Sequence, residues 1–169
     1  MIYVTVGTHR HASFDRLLAA VDDAAADLEH PVFAQIGPSG FVPKHMKYEA
    51  FLDYADAENH ICRADLVIAH AGMGVILQCR HHGVRLIVAP RRRSMKEHFN
   101  DHQVETCARL TNLQGVRVLH DMRDLRAVID EILAAPAPDP VADNPGADAI
   151  GAAIREFLSM PPLPGGTQR

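Results

Sequence analysis

The stretch DLVIAHAGMGVILQ at residues 65–78 decides the architecture. Leu66-Val67-Ile68 is too short and too apolar for a solvated face, and it reads as a strand buried on both sides. Gly72 and Gly74 then flank Met73 where the backbone must turn sharply or approach a ligand without Cβ atoms in the way, and helical spacing resumes after them. Strand, glycine turn and helix make half of a nucleotide-binding unit. The free N–H groups and the dipole at the start of such a helix favour an anion, each contact contributing about 0.3–1 kcal/mol where exposed. Phosphate is the natural guest. Glycines after a strand also serve simply to pack a helix tightly on a sheet, and that reading stands beside the first. The third glycine of a dinucleotide fingerprint would fall on Leu77, and no Walker-type phosphate loop occurs, so the usual NAD and P-loop readings lose ground.

Working outward, residues 2–6 form a strand ending at Gly7-Thr8, and a helix over 14–28 follows, with Ser13 as its N-cap. The spacing predicts strands over 31–36 and, briefly, 47–51, then a helix over 53–63 leading into the central strand. Beyond the helix at 74–82, Gly83 is a C-cap. A buried strand at 85–89, a helix over 96–113, a strand at 116–119 and a helix over 122–134 complete the alternation. Such a chain is α/β: a Rossmann-like, doubly wound parallel sheet with right-handed crossovers. Residues 1–135 form the domain. Residues 136–146, rich in Pro, Ala and Asp, read as a linker, 147–160 as a further helix and 161–169 as a disordered tail.

The 169 residues suit one domain that buries about two thirds of its unfolded surface. A net charge of −4 argues against a nucleic-acid partner. Cys62, Cys79 and Cys107 are odd in number and unpaired by spacing, which fits reduced thiols in a cytosolic protein. No apolar run reaches the roughly 18 residues of a membrane span, and no basic start precedes an apolar leader, so neither is expected.

Three loops, at 7–11, 70–74 and 90–102, fall at carboxyl ends of strands, the edge where open α/β sheets bind ligands. Their glycine turns and polar side chains suit a nucleotide-sugar diphosphate. Gln78 lies one turn after Gly74, placed for a ribose or simply solvated. The run 97–103 gathers polar groups around Phe99, as a sugar site or as a capped helix start. His98 and His102 are four apart, but the order does not match HExxH, and no metal site is expected. His70 ends the buried strand as a core histidine or as a ligand contact. Arg91, Arg92 and Arg93 form a basic patch for phosphate, an acidic sugar or an anionic membrane, or a plain solvated surface. His9 and His11 belong to the residue type that titrates near neutrality, though loop histidines mostly take no part in chemistry.

Taken together, VTVGT at 4–8, QIG at 35–37, ADLVIAHAGMG at 64–74, LIVAP at 86–90 and EHFNDHQ at 97–103 resemble the C-terminal, nucleotide-sugar-binding domain of family 28 glycosyltransferases in its short stand-alone form. That form includes the small subunits of bacterial exopolysaccharide glycosyltransferase pairs and of the eukaryotic dolichol-linked GlcNAc transferase. The resemblance implies the C-terminal half of a GT-B fold that binds a UDP-sugar, with Gly7, Thr8, His70, Ala71, Gly72, Met73 and Gly74 around the donor. Gln78 falls where many relatives place a ribose-binding Glu, and Asn100, His102 and Gln103 correspond to donor-sugar contacts. His9 and His11 border the cleft as candidates for the general base. The chain has no room for an acceptor domain, so a separate membrane-associated subunit is expected to supply the lipid-linked saccharide acceptor, holding the chain at the inner membrane face. No cofactor or metal is expected, because helix N–H groups can stabilise the leaving UDP. A non-catalytic nucleotide-binding scaffold and a self-sufficient homodimeric enzyme are the rival arrangements.

Overall fold

The computed structural model describes residues 1–110 and 113–141. They form six strands and five α-helices, in the order β1 (Ile2–Thr5), α1 (Asp15–Ala25), β2 (Val32–Gln35), β3 (Lys47–Glu49), α2 (Tyr54–Arg63), β4 (Leu66–His70), α3 (Met73–His81), β5 (Arg85–Ala89), α4 (His102–Arg109), β6 (Val116–Val118) and α5 (Leu125–Ala134). All strand pairs are parallel, and the sheet runs β3-β2-β1-β4-β5-β6. Strand order therefore reverses between β1 and β4, and the carboxyl ends of these two strands open the crevice typical of doubly wound sheets. The register aligns Thr5 with both Gln35 and Ala69, so the loops after β1, β2 and β4 leave the sheet at one level.

Alternation along the strands sends side chains to two cores. Ile2, Val4, Ile68 and Ile87 meet Phe14, Leu17, Leu18 and Val21 of the α1 segment and Leu125, Ile129 and Ile132 of α5. Tyr3, Val67, Leu86 and Val88 meet Ile61, Ile76, Cys79, Cys107 and Leu110 on the opposite face. Full burial of such a side chain stabilises by about 1.5–3 kcal/mol. Burial also pushes the thiols of Cys79 and Cys107 up, to about 12 and about 11, so both act as apolar packing.

The structure moves three expected features. Helix α1 starts at Asp15 with Phe14, not Ser13, in the N-cap position and no side-chain cap; Phe14 is fully buried beneath the guanidinium groups of Arg16 and Arg91, and that packing sets the start. The helix expected from residue 96 begins only at His102. Before it come a 3-10 turn at Arg93–Met95 and Lys96 in the left-handed conformation (φ 58°), which the α-helix cannot continue through. Residues 136–141, the start of the expected linker, follow Ala135 along the amino-terminal edge of β5 and β6. Arg85 donates twice to the Ala135 carbonyl, Val141 N–H donates to Arg80 O, and Pro138 sits against Gly115. The expected helix at 147–160 and tail at 161–169 lie outside the described residues.

A buried carboxylate ties the upper loops to α1. Asp22 is 3% exposed and accepts the backbone N–H groups of Lys44 and His45, fixing the chain that leads into β3.

Candidate functional site

The crevice between β1 and β4 opens into a cavity of about 580 Å³, lined by Thr5, Gly7, Thr8, Gln35, His70, Gly72, Gly74 and Gln78, with Leu52, Asp53 and Tyr54 on the α2 side and Leu77 on α3. Its floor is held by hydrogen bonds inside the sheet ends. Gly7 N–H donates to Thr5 Oγ1, Gly7 O accepts from Gln35 Nε2, and Gln35 Oε1 accepts from the hydroxyl of Tyr3. Both polar groups of the Gly7 peptide are thereby satisfied without closing the crevice.

Over this floor lies the imidazole of His70, between the two glycine turns. A Cβ on Gly7 would come within 2.6 Å of His70 Cε1, and one on Gly72 within 2.9 Å of the same atom and nearer still to Nε2. Burial pushes His70 down to about 4; the Arg91 guanidinium adds to the effect and the Thr5 carbonyl opposes it, so the ring is neutral at pH 7. Its Nδ1 is enclosed and makes no hydrogen bond of good geometry.

Helix α3 begins beside this ring with Gly72 as an N-cap that offers no side-chain cap. The N–H groups of its first turn, at Met73, Gly74 and Val75, therefore lack intrahelical acceptors. Nothing lies within 4 Å of where a Cβ on Gly74 would stand, so that face of the turn is open. Open N–H groups, a positive dipole end and a neutral imidazole together make an anion seat. Gln78, one turn on, donates from Nε2 to the Tyr54 hydroxyl at 3.1 Å.

The expected site residues separate into groups. Gly7, Thr8, His70, Gly72, Gly74 and Gln78 line the cavity, and Ala71 is buried behind it. Met73 and His102 line a neighbouring hollow of about 380 Å³ together with Glu105, Thr106 and Arg109. Gln103 is buried and accepts from Arg91 N–H through Oε1, while Asn100 Oδ1 accepts from His102 N–H at the start of α4. His9 and His11 do not line the cavity; they are exposed in the loop that follows Thr8, and the His9 ring lies 6.2 Å from that of His98, which stacks on Phe99. Among the described residues no group of three His, Cys, Asp or Glu side chains could hold a metal ion.

The basic patch at 91–93 is not one surface. Arg91 is 2% exposed and donates through Nη2 to the carbonyls of Val6 and Ala12 at 2.7 Å each, anchoring the Gly7–Ala12 loop to the end of β5. Arg92 is half-buried and donates to His120 O, leaving Arg93 as the exposed member of the three. Glu97 is equally structural: its carboxylate takes Arg16 in a two-point pair and also accepts from Arg92 N–H.

Thr5, Gln35 and Tyr54 are among the cavity residues that sequence reasoning missed, and they are the ones that bring hydrogen-bonding side chains. Tyr54 follows the N-cap Asp53 at the carboxyl end of β3, so a firm placement of that short strand would have pointed to it by the same rule that found Gly72.

Residues 1–144 match the family model described as "Glycosyltransferase family 28 C-terminal domain". The chain belongs to this family. Among curated proteins, this family 28 domain is 37% identical over 120 residues to human "UDP-N-acetylglucosamine transferase subunit ALG13", covering 64% of the chain and 10% of the relative. It is 34% identical over 147 residues to the mouse protein of the same name, covering 80% of the chain and 11% of the relative. The chain thus spans about a tenth of the length of these relatives. Solved structures share the fold at low identity. The calicheamicin glycosyltransferase CalG4 aligns with a TM-score of 0.59 at 18% identity, over 94% of this chain and 39% of that one. The solution structure of ALG13 gives 0.59 at 18%, over 88% and 93%. The family 28 domain therefore has the architecture of the C-terminal half of a GT-B glycosyltransferase.

Proposed function

We propose that this family 28 domain is the donor-binding catalytic subunit of a two-component glycosyltransferase, which moves a sugar from a UDP-sugar to a lipid-linked saccharide in polysaccharide biosynthesis. The observation that carries this reading is the uncapped start of α3, opening between Gly72 and Gly74 onto the cavity at the β1–β4 switch point. A diphosphate there accepts from N–H groups that have no other acceptor, and the nucleoside runs toward Gln78 and Tyr54. The name of the ALG13 relatives, a transferase subunit, supports both the donor class and the need for a partner.

In this mechanism the helix N–H groups stabilise charge as the UDP departs, and no metal ion is needed for that task. His70, neutral and wedged between the glycine turns, lends an imidazole to the diphosphate without bringing charge. Inversion at the sugar needs a base beside the acceptor hydroxyl. His9 and His11, exposed in the loop that follows Thr8, are the candidates within this chain, and the partner supplies the lipid-linked acceptor at the cytosolic face of the membrane.

A transfer assay with UDP-sugars and lipid-linked saccharides tests the reading, run on the chain alone and with its membrane partner. Transfer by the pair that is lost with Gly74→Ala is the expected result. Transfer by the isolated chain would establish a self-sufficient enzyme. A pair in which Gly74→Ala abolishes donor binding but leaves transfer intact would make the chain a nucleotide-binding scaffold.

A further inference from the structure

We infer that Tyr54 is a positioning and specificity residue for the ribose diol, acting together with Gln78. The inference rests on the donor site proposed above and assigns a role to a residue that neither the glycine turns nor the polar run at 97–103 explains.

Tyr54 opens α2 under the N-cap Asp53, whose carboxylate accepts from Asp56 N–H, so its backbone is fixed. Its side chain is 71% exposed and contributes little to either core, yet it lines the cavity and its hydroxyl accepts from Gln78 Nε2 at 3.1 Å. A glutamine carries one acceptor oxygen and one donor nitrogen, where a carboxylate carries two acceptors. In this orientation Oε1 stays available as an acceptor. The Tyr54 oxygen, having accepted, retains its own proton for donation. In the turned-over amide Oε1 would accept the Tyr54 proton instead, leaving the amide N–H as donor and the phenol oxygen as acceptor, so either arrangement offers one group of each kind. The pair therefore presents one acceptor and one donor from two helices at the mouth of the same cavity. A cis-diol, each of whose hydroxyls can donate or accept, is the group that such a pair recognises. A nucleotide lacking one hydroxyl leaves one of the two unpaired.

The test is calorimetric titration of the full chain with UDP and 2′-deoxy-UDP. Wild type is expected to prefer UDP by about fivefold or more, the effect of one hydrogen bond. Tyr54→Phe lowers that preference about threefold without changing Tm, because the ring is exposed. In a Gln78→Ala background the same change has no further effect on the ratio, whereas Gln78→Glu, whose carboxylate needs no orienting, restores a preference that depends less on Tyr54. An unchanged ratio in Tyr54→Phe, or equal losses for both nucleotides, overturns the inference and leaves the donor site standing. Failure of the wild type to bind UDP overturns the donor site, and the inference with it.

Discussion

The ring of His70 occupies the space that any side chain on Gly72 would enter, with Cε1 2.9 Å from the position of a Gly72 Cβ and Nε2 closer still. Gly7 meets the same ring from the β1 side, 2.6 Å from Cε1, and does so at a φ of +79°. The switch point is thus filled by one imidazole and two backbones. Gly72→Ala should lower stability by about 1–3 kcal/mol through overpacking, and Gly7→Ala by more because left-handed strain adds to the clash. Gly74→Ala meets no neighbour and should leave stability unchanged or slightly raised, as alanine favours helix. Urea denaturation of the three variants checks the order. Equal effects would mean that His70 is not the obstacle.

Arg91 is the cation on which the upper loop depends. It bonds the Val6 and Ala12 carbonyls, lies over the Phe14 ring at 5.4 Å, and keeps its charge at pH 7, although burial lowers it to about 10 against the pull of Glu97. Arg91→Met should cost about 2–4 kcal/mol, since it strands two buried acceptors. Arg93→Met, on the surface, should change stability by less than about 0.5 kcal/mol. Similar midpoints for both variants in thermal denaturation would refute the distinction.

Stability should fall as the solution is acidified below neutrality. His70 titrates at about 6.5 in the unfolded chain and at about 4 in the folded one, so between those values only the unfolded chain takes up the proton. Its contribution is complete above pH 6.5, is lost as pH falls toward about 4, and amounts to at most about 3 kcal/mol. His60, pushed down by burial beside Phe33, shifts in the same direction. Denaturation curves between pH 7 and pH 4.5 should be flatter for His70→Gln than for wild type. Parallel curves would show that the ring does not carry the dependence.

The sheet was legible because its strands carry their own signal: Leu66-Val67-Ile68 and Leu86-Ile87-Val88 are continuous apolar runs that only a doubly covered parallel strand accommodates. The glycine turn was legible for the same local reason. Arg91 was not, since three consecutive arginines look like a solvated surface until tertiary contact reveals two carbonyls waiting for one of them. Nor was the delayed start of α4 visible, because a left-handed lysine at 96 carries no composition signal, and the capping group Asn100 was absorbed into the expected helix. Tyr54 escaped because β3, a short and exposed edge strand, gives the weakest periodicity in the sheet.

The central claim, a donor site on this chain, is tested most directly by calorimetric titration with UDP, UDP-GlcNAc, UDP-glucose and UDP-glucuronic acid, for wild type and for Gly74→Ala. Binding of a UDP-sugar that is lost in Gly74→Ala, while that variant unfolds at or above the wild-type midpoint, is the predicted result. Undiminished binding in Gly74→Ala, or no binding of any of the four to the folded wild-type chain, would contradict it.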